Sequence, residues 1–189
     1  NEYYSREKNI YINLSNEKGN TGLVQSFLHW QFRINDKLTL NSGLYYQYLL
    51  LNGSQSLEPR FGLQWALRPK HSLNFGYGLH SQTQPLYWYF LESYNEYTNT
   101  YMQTLKELDF TKSNHLIAGY DYSISNNFRL KAETFYQLQY NVPIEEKSSS
   151  FSILNTGNEL SGLPFVDSLV NEGSGKNYGI ELTLEKFSS

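Results

Sequence analysis

The chain has 189 residues, a net charge of −3, no cysteine and an aromatic content of 16%. This length allows one domain, the absence of cysteine excludes disulfides and thiolate metal sites, and the mild charge gives no basis for binding nucleic acid. No apolar run of about 18 residues occurs, so the sequence predicts no transmembrane helix.

Eight segments alternate apolar and polar residues with a period of two, which is the pattern of strands with one apolar and one polar face. In chain order, strands are predicted at residues 3–14, 22–34, 38–51, 57–67, 72–84, 113–124, 128–140 and 175–187. The clearest pair is joined by the polar turn Ser125-Asn126-Asn127. The pattern therefore predicts an all-β, antiparallel fold of about eight strands.

The connections differ in length at the two ends of the predicted sheet. One end has tight turns at residues 35–37, 68–71 and 125–127. The other end has residues 15–20 and 52–56 and the two long segments 85–112 and 141–174. Short periplasmic turns and long extracellular loops are typical of outer-membrane β-barrels, so we predict a transmembrane barrel segment with this orientation.

Aromatic residues also gather near both ends of the predicted strands, as in the aromatic girdles at lipid headgroups. Toward the short-turn end lie Trp30, Phe32, Trp65, Phe128 and Phe187, and toward the long-loop end lie Tyr46, Tyr48, Tyr136, Tyr140 and Tyr178. At about 13 residues, the strands exceed the five or six usual in soluble sheets and suit a tilted membrane span.

Charged residues recur on the polar faces of successive strands. They suit the wall of a wet or protein-filled lumen, and those predicted to face it are Arg33, Arg60, Arg129, Lys131 and Glu133. The same alternation also occurs in soluble lipocalin-like barrels and jelly rolls, whose apolar face points inward.

Three runs of sequence resemble the barrel of TonB-dependent outer-membrane receptors. They are PKHSLNFGYGLHSQTQPLYWYFLE at 69–92, LDFTKSNHLIAGYDYSISNNFRLKAETFYQLQY at 108–140 and LPFVDSLVNEGSGKNYGIELTLEKF at 163–187. The resemblance is to the Bacteroidetes type, in which a carboxypeptidase-regulatory-like domain and a plug precede the barrel. It implies a barrel of about 22 strands, of which this chain would supply about a third.

The resemblance implies an importer in the Gram-negative outer membrane. Its cargo would be a siderophore, a glycan or a peptide, and its partners would be the TonB complex, outer-membrane lipid and a surface lipoprotein. Because the chain starts at Asn1 without a signal sequence, we expect a mature protein or an excised piece. We also expect residues 1–189 to form one partial barrel domain, with the plug that contacts TonB absent from this chain. No cofactor is implied.

Two glycine-containing motifs favour backbone roles over nucleotide binding. Gly173-Ser174-Gly175-Lys176 lacks the first glycine of a phosphate loop, since Val170 stands there, and Asn177 follows the lysine; we predict a turn before a strand. Gly76-Tyr77-Gly78 lies within a predicted strand and lacks the following helix of a dinucleotide site.

The histidines provide no recognisable site in the sequence. His29, His71, His80 and His115 lie on separate predicted elements without ligand spacing, so no metal site is predicted. His80 and His115, together with Asp121, would be the candidates in a barrel hydrolase. Because no Gly-x-Ser-x-Gly motif occurs, we predict that the chain is not an enzyme.

The segment 85–112 holds the candidate ligand-binding residues, whose rigid aromatic rings suit stacking on sugars or gripping peptides. They are Tyr87, Trp88, Tyr89, Tyr94, Tyr97 and Tyr101. An alternative is that residues 87–90 continue a strand above the membrane or pack the loops together. Residues 142–175 form a second loop that could close a pore or bind a lipoprotein.

Two other functions stay open at this point. One is a self-contained eight-stranded outer-membrane barrel with a structural or adhesive role, which the bulky polar face disfavours because a small barrel has little interior room. The other is a soluble ligand-binding β-barrel.

Overall fold

The computed structural model describes residues 2–5, 10–13, 20–91, 93–95, 100–156 and 168–187. Its strands are β1 (Glu2–Ser5), β2 (Ile10–Asn13), β3 (Leu23–Asn35), β4 (Leu38–Leu49), β5 (Gln55–Arg68), β6 (His71–Gln82), β7 (Ser93–Asn95), β8 (Thr100–Met102), β9 (Thr111–Ser123), β10 (Phe128–Glu145) and β11 (Leu169–Lys186). A 3₁₀ helix spans Leu86–Phe90, and a single-turn helix, α1, spans Ile153–Thr156.

Seven of these strands form one antiparallel sheet in the order β11-β10-β9-β6-β5-β4-β3. Consecutive long strands are neighbours, and β6 pairs with β9 across the long segment between them. Within the described residues, β3 and β11 each pair along one edge only, so the sheet is open. No helix in the described part of the chain is long and apolar enough to cross a membrane.

The prediction of a single strand at residues 3–14 is wrong, because two short strands lie there. These residues make the separate two-stranded hairpin β1–β2, with Tyr3 opposite Ile12, and do not join the main sheet. Pairing between segments so close in the chain closes only a short loop, which costs little conformational entropy. The main sheet therefore has seven strands in the described residues instead of about eight.

Tight turns join β3 to β4, β5 to β6 and β9 to β10. In the turn between β3 and β4, Asn35 Oδ1 accepts a hydrogen bond of 2.9 Å from the Lys37 amide. Between β5 and β6, the turn at Pro69 and Lys70 places Lys70 at a φ of 71°. The longer connections, 83–110 and 146–168, leave the opposite end.

Strands β10 and β11 extend beyond their predicted ends. Asn141, at a φ of 54°, lies where the β10–β11 register shifts between Gln139 and Val142. Such a bulge interrupts the period of two, so the alternation that predicted the strand ends there. The Gly173–Lys176 stretch, predicted as a turn, is instead part of β11, with Gly173 opposite Val142.

The register aligns the alternation of all seven strands, so the sheet has one apolar face and one polar face. In one row of the apolar face, Leu130 lies between Tyr122 and Leu184, and in the polar row beside it Arg129 lies between Ser123 and Glu185. Among the large exposed residues of the apolar face are Leu28, Trp30, Phe32, Phe61, Phe75, Leu116, Ile180, Leu182 and Leu184. The polar face has its own exposed apolar residues, Leu23, Phe27 and Ile117.

Burial in this sheet reverses the usual rule. In β3–β6 and β9, every buried residue lies on the polar face, and these residues are Gln47, Leu49, Ser56, Glu58, Gly78 and Gly119. Soluble proteins bury apolar residues and expose polar ones. The main hydrophobic cluster lies at the long-loop end, where it joins the loops to the sheet.

Candidate functional site

The five charged residues predicted to line a lumen all lie on the polar face. Arg33 is opposite Thr39 on β4, and Arg60 is opposite Gly43 and Gly78. The other three, Arg129, Lys131 and Glu133, form a column on β10. Arg129 pairs with Glu185 at 2.6 Å, and Lys131 pairs with Glu133. The structure therefore groups these charges on one surface.

Glu58 is the most enclosed charged residue of the polar face, with none of its surface exposed. Its Oε1 accepts hydrogen bonds from Gln47 Nε2 at 2.7 Å and from the Ser81 amide at 3.1 Å, and also from the Ser81 hydroxyl. Its Oε2 pairs with Arg60 at 2.8 Å. A buried carboxylate is tolerated when its oxygens are satisfied in this way, and here it links β4, β5 and β6. The sequence carried no signal for this network.

A hydrophobic cluster, here called the loop cluster, covers the polar face at the long-loop end. Its buried members are Leu49, Trp88, Tyr89, Leu105, Leu108, Phe110 and Leu169. Leu49 follows Gln47 on the polar face of β4, so the segment 83–110 packs toward that face. The described residues of the loops therefore pack on the polar side of the sheet and leave its apolar side uncovered.

Side-chain hydrogen bonds connect the loop cluster to the strands. Asn52 Nδ2, in the β4–β5 turn, donates to the carbonyls of Lys106 at 3.0 Å and Leu108 at 2.9 Å. Asn171 Oδ1, on β11, accepts from the Asp109 amide at 2.8 Å. Since these amide side chains satisfy backbone groups of the segment, they fix its position over the sheet.

Tyr89 lies at the centre of the cluster. Its hydroxyl accepts a hydrogen bond of 3.2 Å from the Gln84 amide, and burial raises the pKa of this phenol above its usual value. The hydroxyl therefore stays protonated across the physiological pH range, and the ring keeps its packing there.

The candidate ligand-binding residues fall into three groups. Trp88 and Tyr89 are only 3% and 1% exposed, and Tyr87 is partly buried against them. Tyr94 and Tyr101 are opposite each other in the β7–β8 hairpin, and Tyr97 lies outside the described residues. The alternative that residues 87–90 continue a strand is wrong, because they belong to the 3₁₀ helix. The observed role of Trp88 and Tyr89 is loop packing, and contact with cargo stays a prediction.

The polar face also has a depression of about 560 Å³ that Gly43 helps to line. The residues around it include His29, Tyr45 and Arg60, and the Arg60 guanidinium lies 5.0 Å from the centroid of the Tyr45 ring. Glycine at this position leaves the backbone open to a molecule in front of the sheet. The depression offers aromatic and cationic contacts together.

Two histidines that the sequence left on separate elements meet on the polar face. The rings of His80 and His115 are 4.6 Å apart between centroids. Within the described residues, no group of three or more His, Cys, Asp or Glu side chains could hold a metal ion.

Comparison with known proteins identifies the family of this sheet as a β-barrel family. A sequence model of the family described as TonB dependent receptor-like, beta-barrel matches residues 1–188. The chain belongs to this family, whose members are transporters of the Gram-negative outer membrane and not enzymes. This confirms the predicted receptor family and location and sets aside the soluble barrel. A search of curated protein sequences found no match.

Solved structures of one transporter share the fold. The FrpB iron transporter from Neisseria meningitidis, F3-3 variant, matches with a TM-score of 0.62 and 17% identity over 88% of this chain and 24% of that chain. The apoprotein of its F5-1 variant matches with a TM-score of 0.60, 17% identity and the same coverage of 88% and 24%. The chain thus spans about a quarter of the length of these structures, and at this identity the likeness concerns the fold alone.

Proposed function

We propose that residues 1–189 form one partial barrel domain of a TonB-dependent transporter that imports a nutrient by energy-coupled transport. The single observation that carries this proposal is the reversed burial, since the loops cover the polar face and leave Leu, Ile and Phe exposed on the other. Contiguous exposed apolar surface of this extent suits contact with a membrane.

In this proposal, the apolar face contacts lipid and the polar face lines the lumen. Arg33, Arg60, Arg129, Lys131 and Glu133 then form part of the lumen wall. The short turns lie in the periplasm and the long loops lie outside the cell, as is general for outer-membrane barrels. The alternation of apolar and polar residues along each strand supports the assignment of the apolar face to lipid and of the polar face to the lumen.

The proposed cargo is a siderophore, a glycan or a peptide, and the proposed contact surface is the aromatic segment near the barrel mouth. Tyr87, Tyr94, Tyr97 and Tyr101 are its candidate contacts, with Trp88 and Tyr89 available if the loop cluster opens. Aromatic rings suit these cargoes because they offer a rigid apolar face. The sequence likeness to the Bacteroidetes type supports a plug that contacts the TonB complex and a surface lipoprotein as partners.

Cysteine labelling tests which face meets water. These 189 residues contain no cysteine, so Glu133→Cys and Thr134→Cys each place one thiol in this part of the receptor, on opposite faces of β10. We expect a small, water-soluble methanethiosulfonate to modify Glu133→Cys in the folded receptor, because the lumen is wet. Thr134→Cys, in lipid, should react only after denaturation. Faster labelling of Thr134→Cys would reverse the proposed orientation.

Growth on defined nutrients tests the transport function. A strain that lacks the receptor is expected to lose growth when one cargo class, ferric siderophore, glycan or peptide, is the sole source of the limiting nutrient. Deleting TonB should abolish the same uptake, because transport depends on energy coupling. Free iron, a monosaccharide or amino acids should restore growth in both strains. Uptake that persists without TonB would contradict the proposal.

A further inference from the structure

The inference concerns His80 on β6 and His115 on β9. Their ring centroids are 4.6 Å apart, and the ring planes are tilted by 47°. The register places His115 opposite Gly78 and His80 opposite Ser113, so both histidines lie on the polar face. Two imidazoles from neighbouring strands therefore share one small region of the sheet.

Gly78 makes this arrangement possible. A Cβ atom at position 78 would lie only 2.6 Å from Nε2 of His80, so any other residue there would displace the His80 ring. The His80 ring folds back over Gly78 and thereby comes beside His115, the residue opposite that glycine. The absence of a side chain at Gly78 thus leaves room for the His80 imidazole beside His115.

The surrounding polar groups are only partly satisfied. Gln137 Nε2 lies 3.4 Å from Nδ1 of His115. Among the described residues, the Ser113 hydroxyl is one of the few buried side-chain atoms without a hydrogen-bond partner. Ser113 is opposite His80 and precedes His115 by two residues on the same face. A buried hydroxyl of this kind calls for a bound water or ligand, because leaving it unpaired is unfavourable.

We propose that His80 and His115 form a binding site for one divalent transition-metal ion of the class that prefers imidazole, such as Cu²⁺, Ni²⁺ or Zn²⁺. A metal–nitrogen distance of about 2.0 Å in tetrahedral geometry separates two ligating nitrogens by about 3.3 Å. With the ring centroids 4.6 Å apart, we expect rotation about the side-chain bonds to bring one nitrogen of each ring to that separation.

Two opposite charges lie near the pair. The Arg60 guanidinium disfavours a cation at His80, and the Glu58 carboxylate, whose effect on His80 is the smaller, favours one. Because Arg60 is paired with Glu58 at 2.8 Å, part of its positive charge is offset. Gln137 lies beside His115 with its Nε2 toward the ring; with the amide turned over, its Oε1 would accept the ring N–H of a metal-bound His115, as outer-shell partners of such histidines do. With two protein nitrogens, the ion keeps open positions for water.

The test titrates the receptor, purified in detergent without a polyhistidine tag, with CuCl₂ and separately with ZnCl₂, using calorimetry. His80→Asn and His115→Asn should each weaken one site by at least about tenfold, and Gln137→Ala should weaken it by about tenfold. His29→Asn, on the same polar face, is the matched control and should bind normally. The Cu²⁺ spectrum in electron paramagnetic resonance should show two coordinating nitrogens.

A measurement on the unaltered receptor tests the same site without substitutions, in case a variant fails to fold. Diethylpyrocarbonate modifies accessible imidazoles, and peptide mass spectrometry reports the extent at each histidine. Added Zn²⁺ should protect His80 and His115 severalfold and leave His29 unprotected. Equal modification of His80 with and without metal, or full affinity in both His→Asn variants, would overturn the proposal.

Discussion

Substitution of Leu182 by arginine is expected to lower the stability of the membrane-inserted barrel by about 2–4 kcal/mol, the cost of a cationic side chain near the bilayer midplane. Leu182 is 75% exposed on the apolar face of β11, between Ile180 at 78% and Leu184 at 65%. It lies opposite Ala132, which is midway along β10 between Phe128 and Tyr136 of the two predicted aromatic girdles, so a guanidinium there cannot easily reach water. Denaturant unfolding of the receptor in lipid vesicles measures this loss.

The matched control is Thr183→Arg, one residue further along the same strand. Thr183 is exposed on the polar face opposite Lys131, so the new guanidinium has access to the lumen. We expect its effect to stay within about 1 kcal/mol, as for other exposed substitutions. Equal destabilisation by both arginines would mean that the two faces of β11 meet the same environment.

Truncation of Trp88 to alanine is expected to reduce the free energy of local opening of the loop cluster by about 3–5 kcal/mol. Trp88 is 3% exposed, and its ring contacts Tyr87 with a centroid separation of 6.5 Å. Removing the indole leaves a cavity that the 3₁₀ helix cannot easily close. Hydrogen exchange should show the loss at the Leu91 and Leu108 amides, which are hydrogen-bonded to the Trp88 and Leu105 carbonyls.

Leu86→Ala is the control within the same helix. Leu86 is 52% exposed, so its truncation should change exchange by less than about 0.5 kcal/mol. Unchanged exchange in Trp88→Ala would show that the indole does not hold the cluster together. If cargo binding then fell while exchange stayed normal, the ring would have a direct role in binding.

The strands and their faces could be predicted because the alternation of apolar and polar residues can be recognised from neighbouring positions in the sequence. The turn at residues 125–127 and the opposite faces of β10 follow from residues only one or two positions apart. This alternation fails where the backbone departs from regular pleating. At Asn141 the bulge shifts the parity, so residues 141–145 of β10 were not predicted as strand. Residues 169–174 of β11 were missed as well, because they do not alternate apolar and polar residues.

The aromatic segment shows a different limit. An aromatic run such as residues 86–90 suits a strand, a binding surface or a packed core equally well. Its 3₁₀ conformation and burial depend on Leu49 and Leu169, which come from two distant strands. The residues of the segment alone therefore could not predict that contact. The same holds for Glu58, whose partners Gln47 and Ser81 lie on neighbouring strands.

The sequence by itself determined that this chain forms an antiparallel sheet with one apolar and one polar face. It did so because a period of two over a dozen residues places alternate side chains of a strand on opposite faces. Only the tertiary structure decided which side chains meet across strands. His80 and His115 are 35 positions apart in the chain, and their contact depends on strand register and on the space that Gly78 leaves open.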